Sequence, residues 1–202
     1  MNIRAEILAK PYDLPKSGQR LADSGAYSSP SGKMVETLHE YAWTHKRAAD
    51  VLVWSVESGQ VPIHQLGAPL LNLYRHAIEL SLKDCLELGS SALGEELHIS
   101  STHSLRNLLE LVLEQKYRIF GDAEPCSEEY ELDVAFCDLV NELDSMDPTG
   151  SVFRYPFDLK RRGWKTSHVM IEVGRLRNGM DQIWNYLDCY RECVNTRIDA
   201  AC

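Results

Sequence analysis

Basic residues are scarce in this chain. Its 21 Lys and Arg stand against 30 Asp and Glu, a formal net charge of −9 over 202 residues. That balance excludes a broad nucleic-acid surface, which needs Lys and Arg clustered against phosphates, although a small basic site is still allowed. Long apolar runs are also missing: none approaches the roughly 20 residues that span a bilayer. The opening MNIRAEILAKPYDLPKSG lacks the apolar stretch of a signal peptide. The six cysteines (Cys85, Cys126, Cys137, Cys189, Cys193, Cys202) form no CxxC pair. Cys189 and Cys193 share a helical face, but no clustered histidines complete a zinc set. Scattered thiols without a secretion signal are expected to be reduced and structural, in a cytoplasmic protein with no membrane partner. HExxH, P-loop, GxSxG and dinucleotide fingerprints are absent, so no metal or nucleotide cofactor is expected.

What is present is helical periodicity. Residues 1–30 carry Pro, Ser and Gly with little pattern and read as a flexible or loosely packed lead-in to a bundle over 31–202. A first helix is expected over about Gly32–Ser58, with Val35, Leu38, Ala42, His45, Ala49, Leu52 and Val56 inward. The segment VPIHQLGAP reads as a loop, and a second, mostly apolar helix as Pro69–Leu88 with Gly89 as its cap. A third is expected from a Ser/Thr cap near Thr102 to Phe120. A fourth begins at Ser127 and ends before Asp147-Pro148, with Leu132, Phe136, Leu139, Leu143 and Met146 inward. SVFRYPFDLKRRGWKTSH breaks the pattern and suggests a short extended or hairpin insertion. The last helix, about Ser167–Ile198, suits a long packing or dimerisation element. The fold class is therefore all-α, a five-helix bundle with an insertion before the last helix.

Three groups of residues could carry chemistry. On the second helix Arg75, Glu79, Lys83 and Glu87 alternate in sign at four-residue steps, beside Asn72 and His76. A solvated ion-pair ladder is one reading. The other is an internal polar network in which Arg75 and Glu79 meet Arg154 or His103. In DPTGSVFRYPFD, the residues Asp147, Arg154, Tyr155 and Asp158 sit among aromatics that must dock on the core, Arg154 then needing a carboxylate such as Glu79. The tip Lys160, Arg161, Arg162, Trp164 and Lys165 is either a solvated turn or a grip for phosphate and base. His45 reads as a core histidine bonded to a neighbour; His39, His64 and His98 read as surface residues.

PLLNLYRHAIELSLKDCLEL, then THSLRNLLELV, then DPTGSVFRYPFD resembles the order of motifs in bacterial HEPN-like helical proteins, over roughly residues 34–190. The resemblance implies an all-helical bundle, often a homodimer, in toxin–antitoxin, phage-defence and RNA-processing settings. It implies further that catalytic members are metal-independent ribonucleases, with an Arg, four to six intervening residues and then a His. In such a pair the imidazole moves the proton while the guanidinium holds the phosphate. Here Arg75 is followed at once by His76, and the spacing is met by Arg162 and His168 with five residues between, as it is by Arg161 and His168 with six. The leading expectation is a binding protein: a homodimer that contacts RNA at a local basic site, or a partner protein from the same operon, in a defence, toxin–antitoxin or stress-response system. The alternative is an endoribonuclease using Arg162 and His168, or a site around Arg75 and His76. A third reading is a ligand pocket between the second helix and the FRYP loop.

Overall fold

The computed structural model describes residues 37–96, 102–121, 127–155 and 171–201. These form five α-helices, and no strand occurs among the described residues. They are α1 (Leu38–Glu57), α2 (Ile63–Leu93), α3 (Leu105–Phe120), α4 (Glu128–Met146) and α5 (Val173–Ala201). The all-α bundle expected from periodicity is what the chain forms. The start assigned to the first helix, and most of the insertion tip, lie outside the described residues.

Helix α2 is the axis of the bundle, packed on α1, α3 and α5. Leu70, Tyr74, Ile78, Leu82 and Cys85 are all but completely buried on it. A buried Leu or Ile contributes about 1.5–3 kcal/mol, so this one helix organises much of the core. It is also longer than expected. VPIHQLGAP is not a loop: the helix begins at Ile63 and runs through Pro69. Proline removes one backbone hydrogen bond, at a cost of about 3 kcal/mol in a helix interior. Packing of the added turns, Ile63 among the residues laid on the core, offsets that cost.

Gly89 is not the cap of α2 either. The helix continues to Gly94, whose left-handed φ of 67° lets its N–H close on the Ser90 and Ser91 carbonyls. Gly89 is instead a point of close approach. A Cβ there would lie 2.2 Å from Gln115 Oε1 on α3 and 3.2 Å from the Tyr190 hydroxyl on α5.

The side-chain caps were legible: Ser104 Oγ accepts from Asn107 N–H at 3.3 Å, and Ser127 Oγ from Tyr130 N–H at 3.1 Å. On α4, Leu132 was expected inward but is 61% exposed. Asp133 takes the inward position, because Lys116 of α3 meets it there at 2.6 Å. Helix α5 starts at Val173 rather than Ser167; residues 171–172 are non-helical, and the Glu172 carboxylate accepts from the N–H groups of Gly174 and Arg175, both at 3.0 Å. Its apolar line (Met180, Ile183, Leu187, Tyr190, Val194) is buried within the chain's own core.

Candidate functional site

Arg75 is the largest fully buried side chain of the described residues. A guanidinium out of water persists only if its donors are met. Nε donates to the Asp147 carbonyl at 2.8 Å, Nη1 to Glu79 Oε2 at 3.1 Å, and Nη2 to the His103 carbonyl. Those acceptors belong to the end of α4, to α2 itself and to the lead-in of α3, so one side chain ties three elements together. Asp147, also buried, shapes the following turn by accepting from Ser151 N–H at 2.8 Å. Gly150, at φ +69°, leaves the space that the guanidinium needs: a Cβ there would stand 2.9 Å from Nη1.

Glu79 completes the network. Its Oε1 accepts from Lys83 Nζ at 2.9 Å and faces His103 Nδ1 at 2.8 Å. Burial by itself raises the Glu79 pKa, but the hydrogen bonds from Lys83 and His103 outweigh it and hold the carboxyl below its usual range. The His103 side chain is 59% exposed, whereas that of Glu79 is 2% exposed. A buried carboxylate therefore orients a solvent-facing imidazole, an arrangement able to move a proton. The solvated-ladder reading fails for Arg75 and Glu79, and the internal network with His103 holds.

The other sequence candidates divide. Arg154 does not reach Glu79, whose Oε2 is already taken by Arg75; its Nε donates instead to Asn72 Oδ1 of α2 at 3.1 Å. Tyr155 is 61% exposed. His76 turns toward α1, its ring edge-on to His45 with centroids 4.6 Å apart. Burial, and then the neighbouring His45, lowers the His76 pKa to about 4, so the ring is neutral at neutral pH. His45 is half-buried with Nδ1 2.9 Å from the Tyr41 carbonyl, the bonded neighbour expected for it. Arg75 and His76 thus face different surroundings and make no joint site. Asp158, Lys160, Arg161, Arg162, Trp164, Lys165 and His168 lie outside the described residues.

A different surface was missed. On α1, Trp43 is 51% exposed, and Val51 and Trp54 are each 58% exposed. With Arg47, whose guanidinium lies 5.6 Å over the Trp43 ring, they follow one another at steps of four, four and three. They form a stripe on the side away from Ala42, Ala49 and Val53, which are buried. The signal was in the sequence: two tryptophans fall off the inward face of an amphipathic helix, at positions where polar residues are expected.

A groove of about 430 Å³ opens between α4 and the start of α5, floored by Leu71, Leu143 and Met180 with Glu142 and Arg175 among its lining. It is not the pocket expected against the FRYP loop, since neither Arg154 nor Tyr155 lines it. No group of three His, Cys, Asp or Glu is placed to hold a metal among the described residues. No protein-family model, no curated protein and no solved structure matches the chain.

Proposed function

We propose that the chain is a HEPN-like binding protein that works as a homodimer, each copy laying the outer face of α1 against that of the other. The observation that carries this reading is the stripe Trp43, Arg47, Val51 and Trp54. A contiguous apolar patch in water marks a contact surface, and its spacing is that of a seam between helices. The occupant follows from symmetry and charge. A two-fold axis crossing α1 between Ala48 and Ala49 sets two antiparallel copies in register. Trp43 then meets Trp54 of the partner subunit, and Arg47 approaches Asp50 of the partner subunit, a carboxylate that within its own chain already accepts from Lys46 Nζ at 3.2 Å and from the Tyr74 hydroxyl at 2.9 Å. Helix α5 is not available for this role, its apolar line being already covered. The dimer would act on RNA or on a partner protein of a defence, toxin–antitoxin or stress-response system.

Light scattering on the eluting protein tests this. Wild type is expected at twice 22.9 kDa at micromolar concentration, and Trp43→Ser/Trp54→Ser at the monomer mass with unchanged helicity. A monomeric wild type refutes the dimer.

One observation favours a second reading, metal-independent RNA cleavage. The buried Glu79 orients the exposed His103 imidazole, which could take the proton from a ribose 2′-hydroxyl as its oxygen bonds to the adjacent phosphorus, the P–O5′ bond breaks, and the proton passes to the departing 5′-oxygen. Arg75 is buried and cannot touch that phosphate; Lys83, on the same carboxylate, is the nearest cation of the network. A mixed RNA pool in EDTA separates the cases. Cleavage lost in His103→Ala but kept in Arg162→Ala and His168→Ala supports the Glu79–His103 site. Loss in the latter two instead restores the pair expected from the resemblance, and intact RNA leaves the binding reading.

A further inference from the structure

The thiols were expected to be structural, and for Cys85, fully buried in the core, they are. Cys189 and Cys193 are different. Both are exposed and stand one turn apart on α5. We propose that Cys189 and Cys193 together bind one thiophilic monovalent cation of the copper(I) class, held between the two sulfurs.

Geometry chooses between the fates open to a thiol pair. Residues four apart on a helix keep their Cβ atoms about 5–6 Å apart. A disulfide needs about 3.5–4.5 Å, so the intact helix resists closing one. The same spacing lets two converging sulfurs share one ion at bonds of about 2.3 Å. Zinc wants four ligands, and among the described residues no third His, Cys, Asp or Glu joins the pair. Soft thiolates select copper(I), which two of them satisfy.

The step balances without redox change. One copper(I) ion and two thiols give a dithiolate complex and two protons; no electron moves. An ordinary thiol, with a pKa of about 8.5, keeps its proton at neutral pH and must yield it on binding. The complex carries one negative charge.

Anaerobic titration of copper(I) into the full chain, in competition with a coloured copper(I) chelator, tests the site. Wild type and Cys137→Ser are expected to withdraw the first equivalent from the chelator and to release two protons per ion. Cys189→Ser and Cys193→Ser should each weaken that equivalent by well over the roughly 10–100-fold that loss of a mere supporting residue costs. Both positions are exposed, so far-UV circular dichroism should match wild type. Retention of the first equivalent by either single variant, or no copper(I) taken by wild type, overturns the proposal.

Discussion

Arg75 joins the end of α4, α2 and the lead-in of α3 through hydrogen bonds to Asp147, Glu79 and His103. Arg75→Met leaves the Glu79 carboxylate buried with one strong donor gone, and breaking a buried pair in this way costs about 3–5 kcal/mol. A surface ladder pair is worth about 0.2–0.5 kcal/mol, so urea unfolding distinguishes the two readings by an order of magnitude. Arg75→Lys should recover little, because the His103 and Asp147 carbonyls lose their donors, at about 1–3 kcal/mol each. His76 gives a pH signature. Its folded pKa of about 4 lies below the 6.5 of the free side chain, so the unfolded chain binds the proton more readily between those values. Stability is full above pH 6.5 and falls as the pH drops toward 4, by about 1–2 kcal/mol once solvent access to the half-buried ring is allowed for. His76→Phe should flatten that slope in urea midpoints taken across the interval. The alternation of Arg75, Glu79 and Lys83 was legible in the sequence. Its burial rested on long-range partners, the carbonyls of His103 and Asp147, which local spacing does not encode.

At the scale of elements, helix starts and caps at Ser104 and Ser127 could be read because a cap is a local hydrogen bond. What could not be read was set by tertiary contact. Pro69 and Gly89 punctuate a sequence, yet both sit inside α2. Gly89→Ala brings a methyl group against Gln115, which must swing away and give up its bonds to the Leu86 carbonyl and the Ser90 hydroxyl. The expected loss is about 1–3 kcal/mol by thermal or urea unfolding. Gln115→Ala combined with Gly89→Ala should cost less than the sum of the single changes, since the clash is then relieved. Strict additivity would show that the glycine serves the backbone rather than the packing. Leu132 and Asp133 exchange their expected places on α4 for the same kind of reason: Lys116 is buried, and its counter-charge must be buried with it.

For the whole molecule, the helical class followed from periodicity alone, whereas the outward apolar stripe on α1 did not. Attention to apolar residues at inward spacing passes over apolar residues at outward spacing, and Trp43 and Trp54 are of the second kind. The aromatic insertion before α5 also proved only partly traceable: it meets α2 through Arg154 and Asn72, and its basic tip lies outside the described residues. The proposed antiparallel pairing of α1 would make a specific demand on charge. Arg47→Glu would face Asp50 of the partner subunit with a like charge, and repulsion at a close pair weakens association and makes it salt-dependent. Light scattering over a dilution series of wild type and Arg47→Glu is the most direct measurement. The account predicts that wild type holds twice the 22.9 kDa chain mass into the micromolar range, and that Arg47→Glu dissociates at higher concentration and is partly rescued by salt. A wild type that is monomeric throughout, or an Arg47→Glu variant that dissociates no sooner, would contradict it.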